Sequence, residues 1–219
     1  MTNLFKSMKD PVSGLTHLAG TLLSVLGLIF LISRALAYGE SQHLIAFTVF
    51  GVSMILLYLA SSLYHLLPLS EKGQLILRRF DHMMIYVLIA GTYTPLCMIL
   101  LEGFMSWALF IAIWSLAALG ISFKLVWFNA PTWLSLLLYL LMGWLAVLVM
   151  PTLWQVLPFA AIFWVFMGGL AYTIGAVIYG LRKPDPFPEV FGFHEIWHIF
   201  VMVGTFCHFW FVYDYLSFY

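Results

Sequence analysis

The chain has 219 residues, of which 64% are hydrophobic, 18% aromatic and only 8% charged. Its mean hydropathy of +1.04 lies far above that of a water-soluble globular domain, so the composition predicts an integral membrane protein. The nine Lys and Arg residues are scattered and the formal net charge is zero, which excludes a basic face that would attract nucleic acid.

Seven apolar stretches are long enough to cross a bilayer as helices, which takes about 20 apolar residues each. They cover residues 15–37, 43–66, 80–101, 105–124, 133–150, 158–181 and 194–216. Turn residues separate them, beginning with Tyr38-Gly39-Glu40. The first stretch is too long for the apolar region of a signal peptide, so we expect it to remain as a span. The sequence therefore predicts one all-α membrane domain, residues 1–219, built as a seven-helix bundle.

Basic residues predict the orientation, because short loops rich in Lys and Arg stay in the cytoplasm. With seven spans, Arg34 falls on the side opposite to the N-terminus. The other eight fall on the N-terminal side: Lys6, Lys9, Lys72, Arg78, Arg79, Lys124, Arg182 and Lys183. We expect a cytoplasmic N-terminus and an external C-terminus.

Ionisable residues of three predicted spans lie at one membrane depth. His65 ends the second span, Asp81 begins the third and His194 begins the seventh, so all three lie near the cytoplasmic face. Such residues are costly within a membrane and usually face the interior of a bundle or a watery cavity. Their coincidence predicts a functional site at this depth.

Histidine spacing indicates what the site binds. His194 and His198 are one helical turn apart, on one face, where two imidazoles can share a metal ion. Together with His65 they offer three nitrogens to Zn²⁺ and leave a fourth position open, as in catalytic zinc sites. Oxygen ligands, which calcium and magnesium prefer, are scarce here, so zinc is the predicted cofactor.

Two further residues have predicted catalytic roles. Asp81 would orient the zinc-activated water or accept its proton as a general base. Ser61 lies one turn before His65, where its hydroxyl would reach a substrate oxygen or Asp81. Simpler interpretations remain open, since His65 and Ser61 are each typical of interhelical hydrogen bonding, and Asp81 is alternatively a helix N-cap.

The stretch from His194 to His198 also matches the H-E-x-x-H pattern of zinc peptidases, with Glu195 as the base. Such a peptidase needs a further acidic ligand, and Asp214 is the only acid after His198. It lies roughly 24 Å further along the helix, so it cannot complete the same site.

Three other histidines are weaker candidates. His17 is predicted to support the site as a neighbour of a ligand or, more simply, to form an interhelical hydrogen bond. His82 is expected to face a neighbouring helix or lipid headgroups. His208 lies about 15 Å beyond His198 along its helix and has no predicted metal role.

Five motifs together carry a family resemblance: Ser61-Ser62-Leu63-Tyr64-His65, Phe80-Asp81-His82, Gly91-Thr92-Tyr93-Thr94-Pro95, Tyr139-Leu140-Leu141-Met142-Gly143-Trp144 and His194-Glu195-Ile196-Trp197-His198. In order and spacing they resemble the bacterial haemolysin III family of the progesterone and adipoQ receptor superfamily. Adiponectin receptors and, more remotely, alkaline ceramidases are relatives of that family.

The resemblance implies a multi-pass protein of the bacterial plasma membrane with zinc near the cytoplasmic leaflet. It maps the zinc ligands onto His65, His194 and His198, the aspartate that contacts the metal-bound water onto Asp81, and the nearby serine onto Ser61. The family's pattern does not restrict the second position of the last motif to glutamate, so Glu195 is not expected to be catalytic.

Three functions compete at this point. The first is a zinc-dependent intramembrane hydrolase of a lipid amide or ester, similar to a ceramidase and acting in membrane lipid homeostasis. The second is a lipid-sensing, receptor-like protein in which zinc is a structural clamp. The third is a pore-forming haemolysin, which is least favoured because the spans carry too few charges to line a polar channel. Expected partners are membrane lipids, as substrates or as free fatty acid ligands.

Overall fold

The computed structural model describes residues 8–38, 40–188 and 190–219. Lys6, one of the residues that predict the orientation, and Gly39, placed in the first turn, lie outside these ranges. The described residues contain no β-strand, only an isolated bridge between Phe187 and Phe191. The fold in these ranges is helical, in agreement with the predicted class.

Seven helices in the described part of the chain are long and apolar enough to cross a membrane. They are α1 (Pro11–Ala37), α2 (Ser41–Leu66), α3 (Glu71–Leu100), α4 (Gly103–Val126), α5 (Thr132–Val156), α6 (Phe159–Leu181) and α7 (Phe193–Phe218). Large apolar side chains such as Leu22, Phe30 and Trp107 are exposed on the outside of the bundle, as expected for contact with acyl chains. The predicted seven-helix membrane bundle is confirmed.

The third helix begins earlier than its apolar stretch. It starts at Glu71, with Ser70 as the N-cap, whereas the predicted span starts at residue 80. Hydropathy marks where a helix enters the membrane, but backbone hydrogen bonds allow polar residues to add turns outside it. Asp81 therefore lies inside the helix, about 15 Å along the axis from Glu71, and its simpler interpretation as an N-cap is wrong.

Two helices depart from regular geometry next to each other. Pro95 is followed by a π-helical turn in α3, and α5 is interrupted by a 3₁₀ segment over Trp144–Val149. The Tyr93 hydroxyl accepts a hydrogen bond from the backbone N–H of Ala146 at 2.8 Å and donates one to the carbonyl of Gly143 at 2.6 Å. Tyr93 thus satisfies backbone groups where α5 leaves the regular pattern.

Packing brings together the ends of α1, α2, α3 and α7 that lie on the N-terminal side of the bundle. α1 packs against α2 and α7, α2 against α3, α3 against α4, and α6 against α7. α3 approaches α2 closely at Gly91, where a Cβ atom would overlap the side chain of Ser53. In the same way, a Cβ atom at Gly120 of α4 would overlap Tyr86 of α3. These close approaches place the polar residues of α2 and α3 in the interior of the bundle.

Candidate metal centre

A cluster of three histidines joins α2 to α7. His65 ends α2, and His194 and His198 occupy the first turns of α7; one ring nitrogen from each lies within 4.8 Å of the others. The Nε2 atoms of His194 and His198 are 3.1 Å apart. The ring centroid of His65 lies 5.0 Å from that of His194 and 5.1 Å from that of His198. The three residues predicted as ligands are thus positioned to bind one metal ion.

Hydrogen bonds at the Nδ1 atoms orient the side chains of His65 and His198. The Nδ1 atom of His65 lies 3.0 Å from the Oδ2 atom of Asp10, and the Nδ1 atom of His198 lies 3.3 Å from the carbonyl oxygen of Ser13. A carboxylate and a carbonyl only accept hydrogen bonds, so Nδ1 carries the proton in both rings. Each Nε2 atom is then left with a lone pair, as ligation requires.

The donor set fits a metal ion. The Nε2 atom of His65 is buried and has no hydrogen-bond partner among the described residues, so it is available as a ligand. A tetrahedral zinc ion with nitrogens at about 2.0–2.1 Å holds those nitrogens about 3.3 Å apart. The 3.1 Å between the Nε2 atoms of His194 and His198 is close to that separation.

Asp81 and Ser61 lie in the wall of the cavity that also reaches His194 and His198. Both are buried, with Asp81 8% and Ser61 1% exposed. The Ser61 Oγ atom has no hydrogen-bond partner within 3.5 Å among the described residues, and its hydroxyl lies close enough to the Asp81 carboxyl to interact with it, one of the two contacts predicted for it. The catalytic roles of the two residues stay predictions, and their placement on the cavity wall is compatible with them.

His17 contacts the cluster in a way that its sequence position does not suggest. Its ring stacks on His198, with centroids 3.6 Å apart and planes 13° apart, and meets Tyr58 edge-on. Neither ring nitrogen has a hydrogen-bond partner among the described residues, so the expected interhelical hydrogen bond is not formed. His17 instead restricts the rotation of the His198 ring by packing on its face.

Two further histidines, His82 and His208, pack against aromatic rings. His82 stacks on Phe128 of the connection between α4 and α5, with centroids 5.5 Å apart, so it faces a neighbouring segment as predicted. His208 stacks on Tyr172 with centroids 5.7 Å apart. It lies outside the three-histidine group.

Glu195 has a structural role at the start of α7. Its Oε2 atom accepts a hydrogen bond from the backbone N–H of Gly192 at 2.8 Å, and its Oε1 atom accepts one from the Ser13 hydroxyl at 2.5 Å. The first contact caps α7 and the second ties α7 to α1. Each oxygen thus accepts one hydrogen bond from a structural partner, and the catalytic standing of Glu195 stays a prediction.

Asp10 and Ser13 contact the cluster from the side of α1 and were not predicted as residues of the site. The available signal was the acidic residue directly before the first span, on the same predicted membrane side as the three histidines. Nothing in the local sequence indicates which histidine Asp10 contacts, because α1 and α2 meet only through packing.

Two cavities meet at the cluster. The larger, of about 490 Å³, has mostly apolar walls that include Leu57, Leu88, Val165 and Phe211. The smaller, of about 290 Å³, has mostly polar walls contributed by the helix ends on the N-terminal side of the bundle. Both reach the same five residues, Arg78, Asp81, His82, Tyr179 and His194. The histidine cluster therefore lies where an apolar and a polar space adjoin.

Comparison with known proteins gives consistent matches along the chain. A family model described as haemolysin-III related matches residues 5–209. The chain is 41% identical over 202 residues to a hemolysin-3 homolog of Bacillus subtilis, covering 92% of each protein. It is 40% identical over 208 residues to hemolysin-3 of Bacillus cereus, covering 94% of this chain and 91% of that protein. It is 26% identical over 215 residues to the adiponectin receptor protein of Drosophila melanogaster, covering 89% of this chain and 48% of that protein.

Proposed function

The chain belongs to the haemolysin-III related family, as its five motifs indicated, and from this premise we propose that it is a zinc-dependent hydrolase of a membrane lipid. The bond cleaved is an amide or an ester, and the protein acts in the plasma membrane of a bacterium, in membrane lipid homeostasis. One observation carries the proposal: the three-histidine cluster lies between an apolar cavity and a polar one. Hydrolysis of a lipid requires both, since the acyl chain needs the apolar space and water needs the polar one.

Zinc is the metal that the donor set favours. Three imidazole nitrogens with no carboxylate among them suit zinc better than magnesium or calcium, which bind through oxygen. When bound with a fourth position open, zinc supplies Lewis-acid activation of water near neutral pH and polarisation of a carbonyl. Asp10 and the Ser13 carbonyl keep the ligating rings in the required tautomer, and His17 holds the plane of the His198 ring.

Asp81 and Ser61 handle the proton and the developing charge. Asp81 is the carboxylate on the cavity wall beside the histidines, so it accepts the proton of the attacking water and passes it to the leaving group. The Ser61 hydroxyl forms no hydrogen bond within 3.5 Å among the described residues, and it turns from Asp81 to the substrate carbonyl oxygen, donating a hydrogen bond as negative charge develops there. Enclosure by the apolar walls strengthens both interactions, because the local dielectric constant is low.

A lipid-sensing protein with a structural metal is the second candidate. The observation that favours it is that the cluster joins the ends of two helices distant in the chain, α2 and α7, and draws α1 to them through Asp10 and Ser13. In that case the cavity binds a lipid without turnover. A pore remains least favoured, because the outer surfaces of the helices are apolar and offer no polar lining.

Hydrolysis by purified full-length protein, loaded with zinc or stripped by a chelator, distinguishes the first two candidates. Substrates are a panel of lipid amides and lipid esters, with product formation followed by mass spectrometry. We expect zinc-dependent turnover that Asp81→Asn abolishes without loss of metal, while the matched control Asp214→Asn, at the far end of α7, retains it. An inert zinc-loaded protein, indistinguishable from folded, zinc-loaded Asp81→Asn, would support the structural clamp instead.

A further inference from the structure

Four basic side chains surround one aromatic ring at the inner end of the bundle. The guanidinium carbons of Arg78 and Arg79 lie 5.3 Å and 5.4 Å from the ring centroid of Phe128, and the Nζ atom of Lys124 lies 5.8 Å from it. His82 stacks on the same ring. We call Arg78, Arg79 and Lys124 the Phe128 cation cluster. They come from α3 and α4, whereas the ring belongs to the connection that follows α4.

The Phe128 cation cluster has no carboxylate within ion-pair distance among the described residues, and Arg78 interacts with the Asp81 carboxylate only at longer range. In the described part of the chain, none of Arg78, Arg79 and Lys124 forms an ion pair with a carboxylate. Lys124 is only 3% exposed, and its Nζ atom makes a single hydrogen bond, 2.6 Å long, to the hydroxyl of Ser135. A buried ammonium without an anion is costly, and neighbouring like charges raise that cost. Aromatic faces offset only a small part of it.

Ordinary membrane topology accounts for part of the cluster but not for Lys124. Basic residues are enriched at the cytoplasmic surface of membrane proteins, so exposed arginines are expected there. Arg78 is exposed and fits this rule. A lysine of that kind would extend its ammonium group to the headgroups. Lys124 instead directs its ammonium group to Ser135 inside the protein, so its position needs another explanation.

Arg78, His82 and Lys124 also line the larger cavity, together with Phe128 and Ser135. One end of the space is therefore cationic, while most of its wall is apolar. The Nδ1 atom of His82 is buried at this end and has no hydrogen-bond partner among the described residues. Such a space is complementary to an amphiphile with an acyl chain and an anionic group.

We infer that the larger cavity binds a lipid carrying a phosphate group, and that Arg78, Lys124 and His82 hold this phosphate. The inference rests on the proposed function in taking the cavity as the place of the acyl chain, and it narrows the substrate to a phosphate-bearing lipid ester or amide. Phosphate is favoured over carboxylate because it offers more oxygens and up to two negative charges to a site with two permanent cations, Arg78 and Lys124, beside the His82 imidazole. No covalent step at the phosphate is involved.

Binding measurements with two matched lipids test the inference. Full-length protein in a neutral detergent is titrated with 1-oleoyl lysophosphatidate and with mono-oleoylglycerol, which has the same acyl chain and no phosphate. Trp144 and Trp197 line the cavity, so tryptophan fluorescence reports occupancy. We expect lysophosphatidate to bind about tenfold or more tightly, the gain typical of hydrogen bonds to charged groups. Oleate and inorganic phosphate, each added at equal concentration, are not expected to displace it.

Variants locate the phosphate. Lys124→Met removes the charge at similar length and is not expected to impair folding, because it relieves the burial of an ammonium. We expect it to weaken lysophosphatidate binding about tenfold and leave mono-oleoylglycerol binding unchanged. Arg78→Gln, at an exposed position, is a second variant with the same expectation. Lys72→Met is the matched control, since Lys72 is an exposed lysine at the start of α3 that lines neither cavity.

The binding results distinguish failure of the phosphate assignment from failure of the cavity as a lipid site. Equal affinity for the two lipids, or unchanged lysophosphatidate binding by both variants, overturns the phosphate assignment and leaves the cavity as a lipid site. Displacement by oleate identifies a carboxylate, and displacement by inorganic phosphate identifies a free anion; either overturns the inference. Failure of both lipids to bind overturns the cavity as a lipid site, and with it the proposed hydrolase.

Discussion

The Nδ1 atom of His65 lies 3.0 Å from the Oδ2 atom of Asp10, so an acidic residue directly before α1 orients a histidine at the end of α2. The hydrogen bond from His65 holds the pKa of Asp10 below its ordinary value, which keeps this carboxylate ionised. An ionised partner increases the basicity of the opposite ring nitrogen, Nε2, and so strengthens it as a ligand. Asp10 is thus a positioning residue for the metal centre.

Asp10→Ala is therefore expected to weaken zinc binding about 10-fold to 100-fold, as loss of a ligand's orienting partner does in other metal sites. Competition with a chromophoric chelator measures the affinity. Glu71→Ala is the control, since it removes an exposed carboxylate at the same end of the bundle that lines neither cavity. Equal zinc affinity in Asp10→Ala and the control contradicts the orienting role.

Metal removal tests whether zinc joins α2 to α7. A ligand at about 100 times its dissociation constant stabilises the folded state by about 2.7 kcal/mol. We expect a chelator to lower the melting temperature by several degrees and added zinc to restore it, with about one zinc per chain by elemental analysis. His65→Ala and His198→Ala should lose the metal and melt at a temperature independent of zinc. A wild-type protein that stays metal-free after zinc addition contradicts the site.

The Glu195→Gln variant tests whether Glu195 is a helix-capping residue or a catalytic base. Glutamine keeps one acceptor oxygen, so we expect metal content and hydrolysis to be retained and stability to fall by about 0.5–2 kcal/mol, the usual range for a weakened cap. Thermal melting and the lipid assay measure the two effects. Loss of hydrolysis with zinc still bound would instead revive the peptidase-like role of this glutamate.

His17 is expected to support the metal centre by stacking its ring on that of His198, and not to bind the metal itself. His17→Phe keeps an aromatic ring against His198, so we expect one zinc per chain and near-normal affinity. His17→Ala removes that packing and leaves a cavity, and its zinc affinity should be lower. If both variants lose zinc entirely, His17 is itself a ligand.

Part of the site could be predicted because its signals are local. The pair His194 and His198 lies on one face through helical spacing alone, and the depth of His65 and Asp81 follows from where their spans end. α3 begins at Glu71, before the predicted start of its span at residue 80, because hydropathy does not detect polar helical turns outside the membrane. The N-in orientation remains a prediction that follows from the distribution of Lys and Arg.

By itself the sequence determined the membrane class, the seven spans and the family, because span length and motif spacing are properties of short segments. Only the tertiary structure decided that Asp10 contacts His65, that Ser13 contacts Glu195 across 182 residues, and that His17 covers His198. It also brought Arg78 and Lys124 to the same ring of Phe128. These contacts depend on how each helix is rotated about its axis and on which helices pack together, and that is set by the fit of the whole bundle and not by any one segment.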